Sequence, residues 1–481
     1  MKKTLCAVVP AISVLAFASI LCVAAPANPS LQGPVPPAAN QKIARDMFRD
    51  LVEIRSVHAI GTRGTADVIV KYLKDNGFTD AEIQVAPETG FPHQVNVVVR
   101  LKGKGEGKPV MWICHMDVVD ARAQDWTLPP YKFTEQDGYF YGRGTSDMKD
   151  EVAAVAASLI RLKKEGYVPD RDIVVAFTAD EEVGLEQDGP QFLVQHRKDL
   201  VGDVGLVINP DGGSGLIKNG KRIGFAVETA QKTYMTFKME TTNKGGHSSE
   251  PRPDNAIYQL AGGLMNLSRY VFPYKSNATT RSYFASLARD ETGQAKADLQ
   301  ALSKAPVDTA AAARLAQDAS LNAILHTTCV ATMLRAGVQE NALPSTADAT
   351  IQCRVFPGES EAQTRATLAQ VAADPAIKVT LLVPVQPALE TLPDPKVMAS
   401  VTDVVHGMWG NDIPVMPVMV AFASDSRFTR AAGMPSYGVG GGWNDVEDLR
   451  MHGRDERNRI GNFYQTVEFT YRLMKKLSTR Q

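Results

Sequence analysis

Met111-Trp-Ile-Cys-His115-Met-Asp117 begins the stretch whose reading decides the fold, and Gly142-Arg-Gly144-Thr-Ser-Asp147-Met-Lys-Asp150 ends it. The apolar run Val110–Cys114 has the length and character of a buried strand, and His115 stands just past its carboxyl end. Open α/β sheets bind ligands at that end of their strands. Asp147 follows a glycine-rich turn and precedes Glu151–Leu162, an alanine-rich segment of helical character. An imidazole and a carboxylate therefore flank one loop between a strand and a helix.

Outward from this stretch, the pattern alternates. Ile43–Ile54 carries apolar residues at helical spacing (Met47, Phe48, Leu51 and Ile54), and Gly64–Asn76 reads as a second helix stopped by Gly77. Val95–Leu101, Asp172–Thr178 and Val204–Ile208 read as strands, with a helix beginning at Pro190–His196. This is the texture of an α/β domain with a mainly parallel sheet flanked by helices. From about Gln231 it changes to strand Thr233–Glu240, helix Asn255–Leu267, strands Thr327–Arg335 and Ala347–Val355, helix Glu361–Ala373 and strand Lys378–Val383. That order is the ferredoxin-like α+β arrangement, interrupted by a polar, helical insertion over about 276–321. The expected organisation is a first domain in two parts, 41–230 and 387–481, with a smaller domain, 231–386, inserted between them. Asn28–Asn40, rich in Pro and Ala, is expected to be a flexible lead-in.

The chain has 481 residues, too many for one ordinary core. A formal net charge of -1 gives no argument for nucleic acid or an anionic membrane as partner. Lys2-Lys3, the apolar run Leu5–Ala25 and the closing Ala25-Pro-Ala27 have the order of a secretory signal peptide. Residues 1–27 are thus expected to be removed on export to a periplasmic or secreted location, leaving no membrane segment. Cys114, Cys329 and Cys353 would remain, each in an apolar, strand-like context. Their spacing is not that of a disulfide framework, and they read as buried small apolar side chains.

Acids and imidazoles recur at the ends of the apolar segments: His115-Met-Asp117, Asp147, Asp180-Glu181-Glu182, Asp211, and His452 in a glycine- and charge-rich segment. Two imidazoles with several carboxylates suit zinc, with cobalt and manganese as the alternatives. Asp147 is the choice for a carboxylate bridging two cations. Asp117, two residues from His115, is placed to accept that histidine's other ring N–H. Neighbours in extended chain point opposite ways, so one of Glu181 and Glu182 is the better ligand and the other the better general base. Arg354, Asn341 and Arg427 are candidates to hold a substrate carboxylate. The run Gly438–Gly442 allows close backbone approach to substrate or forms a turn.

His115-x-Asp117, Tyr141-Gly-Arg-Gly-Thr-Ser-Asp147-Met-Lys149 and Asp180-Glu-Glu-x-Gly184 together resemble the co-catalytic di-zinc metallopeptidase family of aminoacylase, carboxypeptidase G, carboxypeptidase S and the acetylornithine and succinyl-diaminopimelate deacylases. Trp126-x-x-Pro-Pro-Tyr131, Gly245-Gly-His247-Ser-Ser-x-Pro251, Asn341-Ala-Leu-Pro344 and Arg354-x-x-Pro357-Gly358 resemble its carboxypeptidase S branch. The resemblance implies a zinc-exopeptidase-type fold whose inserted domain serves as lid and dimerisation surface. It implies one zinc on His115, Asp147 and Asp211, a second on Asp147, Glu182 and His452, and Glu181 as general base for a metal-bridging water. Asp211 is shorter than the Glu some relatives carry there. His247 is implied to reach the active site from the lid, often from a partner subunit, and to stabilise the oxyanion. The implied activity is cleavage of an amide next to a free carboxylate, as a carboxypeptidase or dipeptidase. The alternatives are an N-acyl-amino-acid deacylase with the same site and, more remotely, a catalytically inactive binding protein.

Overall fold

The computed structural model describes residues 31–183, 188–289 and 291–480; the signal-peptide expectation and residues 28–30 of the lead-in lie outside them. Helices α1 (Ala38–Val52) and α2 (Arg63–Asp75) precede strands β1 (Ile83–Glu88), β2 (Phe91–Leu101) and β3 (Val110–His115). Then come α3 (Lys149–Lys164), β4 (Ile173–Thr178), α4 (Gly189–His196), β5 (Leu206–Asn209), β6 (Gly215–Lys218) and β7 (Lys221–Gln231). The smaller unit follows as β8 (Thr233–Thr242), α5 (Ala256–Arg269), β9 (Thr328–Ala336), β10 (Thr346–Val355), α6 (Glu361–Ala372) and β11 (Lys378–Leu381). The chain returns through α7 (Pro395–Trp409), β12 (Val415–Val420), α8 (Ser426–Ala431), β13 (Ser436–Gly438), β14 (Trp443–Asp445) and α9 (Ile460–Ser478).

The large sheet runs β1-β2-β4-β3-β5-β13-β7-β6-β14, with β12 also paired to β7. It is a mixed sheet with a parallel centre. Strands β4, β3, β5 and β13 run parallel, whereas β1, β2 and the β6–β7 hairpin pair antiparallel. Strand β3 shows why the sheet is sandwiched. Val110, Trp112 and Cys114 face a core with Phe48, Leu159 and Phe469, while Met111 and Ile113 face one with Phe192 and Leu193. Side chains alternate along a strand, so a continuous apolar run requires cover on both faces. The apolar stripes of α1, α3 and α9 cover one face, and α4 the other.

The smaller sheet has the order β9-β10-β8-β11, all neighbours antiparallel, with α5 and α6 contributing to its core. This is ferredoxin-like topology. Four short helices between 278 and 325 interrupt it. Their core joins Phe284, Leu299 and Leu302 to Ala230, Phe356 and Met419, so the insertion packs where the two sheets meet.

Two expectations fail. Cys329 on β9 stands directly opposite Cys353 on β10, Cα atoms 4.1 Å apart, and the two form a disulfide. Strand register brings them together, which spacing along the chain does not reveal. Among the described residues, Cys114 is the cysteine that stays free, and it is buried. The lead-in is also docked from Leu31 onward: its carbonyl accepts from Arg222 (2.9 Å) and Gln465 (3.0 Å), and its side chain packs on the core. None of the described helices is long and apolar enough to cross a membrane.

Candidate active site

Strand β3 delivers His115 to the carboxyl edge of the sheet. Its Nδ1 lies 3.1 Å from the backbone carbonyl oxygen of Asp117, and its Nε2 lies 3.1 Å from Asp147 Oδ1. The Asp117 carboxylate is farther from that ring, at 3.7 Å. It instead accepts the backbone N–H groups of Glu181 (3.1 Å) and Glu182 (3.0 Å). The expected partnership thus runs through the Asp117 backbone, and its side chain ties the acid turn to the histidine strand.

That turn follows Asp180, whose φ of +65° is left-handed. A non-glycine residue there needs outside support. His58 Nδ1 (2.6 Å) and Gln94 Nε2 (3.2 Å) hold its carboxylate. Glu181 and Glu182 therefore sit in a turn, not in extended chain, yet they meet different neighbours. Glu182 Oε2 lies 2.9 Å from His452 Nε2, while Glu181 faces the charges of His115, Asp211, Asp425 and Arg427.

Asp147 sits between the two imidazoles, with His452 Nε2 3.0 Å from its other oxygen. Glu456 builds its loop from below. Fully buried, it accepts the backbone N–H groups of Gly144 (3.1 Å), Ser146 (2.7 Å) and Asp147 (3.2 Å) and pairs with Arg143 at 2.5 Å. Gly144 has φ +89°, and a Cβ there would press within 2.9 Å of the Lys149 side chain. Lys149, itself buried, donates to the carbonyls of Leu51 (2.9 Å) and Ile54 (2.6 Å). Glu456 escaped the sequence reading because its donors lie some three hundred positions earlier; its only signal was an acid close to His452. Glu456→Gln should keep the volume, lose the Arg143 ion pair and weaken metal affinity ~10- to 100-fold. A competition titration against a chelator measures this.

The electrostatics are those of an anion cluster. Burial pushes Glu181 well up from the usual carboxylate range, and burial with the Asp147 charge pushes Asp211 to about 7. Burial also works to raise Asp147, but the hydrogen bonds from His115 and His452 outweigh it and hold it low. Hydrogen bonds that its ring donates to Asp147 and Glu182 lift His452 to about 10. The second Glu182 oxygen, Oε1, is buried with no hydrogen-bond partner. One ligand atom each from His115, Asp147 and Glu182 falls within 4.8 Å of the others. Imidazoles, crowded carboxylates and an unsatisfied oxygen form a donor set that fits divalent metal.

Asp147, Glu181, Glu182, Asp211 and His452 all line one cavity of about 500 Å³. The other predicted residues lie outside that lining. Arg427 is not a free cation: its Nη2 pairs with buried Asp188 at 2.9 Å. Arg354 lies over the Tyr234 ring, within electrostatic reach of Glu181 and Arg427. His247 is exposed on the smaller unit, its Nδ1 2.7 Å from Ser249 Oγ. Asn341 is exposed beside it, its carbonyl accepting from Ser248. The glycine run serves packing: Gly441 N donates to Glu151 at 2.8 Å, and a Cβ on Gly440 would strike the Pro210 carbonyl at 2.5 Å.

Known proteins resemble this chain in sequence and in fold. The chain is similar to "Probable carboxypeptidase S-like 2" of Dictyostelium discoideum, 28% identical over 410 residues, covering 79% of this chain and 74% of that protein. It is also 28% identical to the N-fatty-acyl-amino acid synthase/hydrolase PM20D1 of Xenopus tropicalis, covering 77% of this chain and 73% of the relative. The fold matches a solved M20 family metallo-carboxypeptidase, Sso-CP2 of Sulfolobus solfataricus, with TM-score 0.69 at 15% identity, over 90% of this chain and 99% of the other. The model of peptidase family M20/M25/M40 matches residues 111–476, a span from the strand of His115 through the segment of His452, and the chain belongs to that family of hydrolases.

Proposed function

We propose that the protein is a di-zinc hydrolase cleaving an amide bond adjacent to a free carboxylate, as a carboxypeptidase or dipeptidase. The carrying observation is the meeting of His115, Asp147, Glu182 and His452 within hydrogen-bonding distance, beside Glu181 and Asp211 on one cavity. His115, Asp147 and Asp211 would hold one metal, and Asp147, Glu182 and His452 the other. When bound, such ions supply Lewis acidity toward the scissile carbonyl and make water a nucleophile near neutral pH. Glu181 takes the proton of the attacking water and passes it to the leaving nitrogen. Asp117 fixes Glu181 through its backbone N–H, so the base is positioned before substrate arrives. Arg354 is the remaining candidate for the substrate carboxylate.

A second reading, an N-acyl-amino-acid deacylase on the same site, is supported by the name of the Xenopus relative. A panel of dipeptides and N-acyl amino acids, assayed after chelation and again after zinc is restored, tests both. Zinc-dependent hydrolysis of either class supports the hydrolase, and the ratio of rates chooses between readings. No turnover in any form of the enzyme would refute both.

The smaller unit is proposed to dimerise. Strand β9 lies at a sheet edge and exposes Val330, Met333 and Leu334, and α5 exposes Ile257, Tyr258 and Met265. Open apolar edges invite a partner strand. A second copy would also give His247 and Asn341 a route to an active site that they do not line in the single chain. Leu334→Asp should convert a dimer of the wild-type chain to monomer in sedimentation; a monomeric wild type would refute the proposal.

Export is proposed from residues 1–27, and the Cys329–Cys353 bridge supports it, since oxidising compartments permit disulfides. Cys353→Ser should cost about 3 kcal/mol in urea unfolding, for the loop of 24 residues it opens. Equal stability of variant and parent would mean that the bridge does not form in the native protein.

A further inference from the structure

Helix α3 opens with two consecutive acids, Asp150 and Glu151, that the mechanism leaves unused. Both are buried, at 4% and 6% exposure, and both line the cavity that holds the acid cluster. Each gives one oxygen to the framework. Asp150 Oδ2 accepts from Asn458 Nδ2 (2.7 Å), and Glu151 Oε1 accepts from the Gly441 backbone N–H (2.8 Å). The second oxygen of each, Asp150 Oδ1 and Glu151 Oε2, is buried with no hydrogen-bond partner. A first helical turn favours acids. Solvated side chains satisfy that preference, so it does not explain two buried ones with open lone pairs.

Buried carboxylates are normally matched by a cation. The charges acting on Asp150 are those of Glu151, Glu456 and Asp147, and Asp211 acts on Glu151; all are acids. Burial pushes Asp150 well up from the usual carboxylate range and Glu151 to about 8. Neither residue is among the ligands assigned to the two metals. The pair is therefore short of a positive charge, which an ammonium or guanidinium group supplies as donor to the open oxygens. Leu216 of β6, Ala226 of β7 and Val418 and Val420 of β12 share the lining, so the cavity joins hydrocarbon walls to those oxygens. Lysine and arginine side chains match such a surface, each an aliphatic stem with a charged head. Arg354, the candidate for the substrate carboxylate, lies outside the lining. The occupant is thus on the acyl side of the scissile bond.

We propose that Asp150 and Glu151 form a cation subsite for the residue on the acyl side of the scissile bond, selecting peptides in which that residue is lysine or arginine. The proposal rests on the hydrolase reading above and names the side chain its cavity takes. The basic head meets Asp150 Oδ1 and Glu151 Oε2, and the stem lies along the apolar walls. Both acids keep their bonds to Asn458 and Gly441, so the framework needs no rearrangement to accept it.

The test uses the zinc-loaded full-length enzyme with the dipeptides Lys-Phe and Nle-Phe. Norleucine keeps the stem of lysine without its charge, and the α-amine is common to both, so their ratio isolates the side-chain head. Wild-type kcat/KM should favour Lys-Phe by at least about 10-fold, the size of one charge-assisted hydrogen bond. Asp150→Asn and, separately, Glu151→Gln keep the volume and should bring that ratio to within about 3-fold of one. Glu181→Gln is titrated calorimetrically with the same two dipeptides, which gives a readout that needs neither turnover nor a subsite variant that folds. There too Lys-Phe should bind at least about 10-fold tighter. Turnover without preference for Lys-Phe, or a preference that both variants keep, would overturn the subsite and leave the hydrolase. Absent turnover with Lys-selective binding to Glu181→Gln would support the subsite and overturn the hydrolase. Absent turnover with equal binding would overturn both.

Discussion

Glu181→Gln should lower kcat by ~10³-fold while leaving two metal ions per chain. Glu181 meets the requirements of a base. It lines the cavity with the acid cluster, it lies in a turn held by Asp117 and by the left-handed Asp180, and burial raises its affinity for a proton. Glutamine keeps the shape and the backbone bond to Asp117, and loses the ability to shuttle a proton. Elemental analysis beside steady-state kinetics separates the roles. Loss of metal with activity would make Glu181 a ligand, and unchanged kcat would remove it from the chemistry.

The second large effect belongs to Asp147. Its two oxygens face different histidines, His115 at 3.1 Å and His452 at 3.0 Å. If it bridges, Asp147→Ala should release both metals and cut kcat/KM by more than ~10³-fold, whereas His452→Ala should release one. The difference in metal count between the two variants is the readout. Equal stoichiometry would mean two independent sites, or a single one.

Much of the fold was legible because its strongest signals are local. The run Val110–Cys114 is apolar at every position and emerged as the strand buried on both faces; the βαββαβ order of the smaller unit followed from alternation and helical spacing. Short or amphiphilic strands were not legible: Ile83–Glu88 and the hairpin of Gly215–Lys218 with Lys221–Gln231 make the sheet mixed. Of the acids and imidazoles that meet at Asp147, His115 and Glu182 stand out in sequence because they follow apolar strands, Asp147 because it follows a glycine-rich turn, and His452 because it stands in a glycine- and charge-rich segment. Long-range partners do not. Cys329 finds Cys353 only through β9–β10 register, Leu31 docks through Arg222 and Gln465, and Glu456 acts through backbone N–H groups that carry no sequence signature. Arg427 looked available for substrate because Asp188, its buried partner, lies far away along the chain.

The central claim is a two-metal centre bridged by Asp147. Anomalous diffraction at the zinc edge, on crystals of the zinc-reconstituted protein, tests it most directly. The account predicts two peaks per chain flanking the Asp147 carboxylate, one against His115 and Asp211 and one against Glu182 and His452. A single peak, or a pair that does not share Asp147, would contradict it.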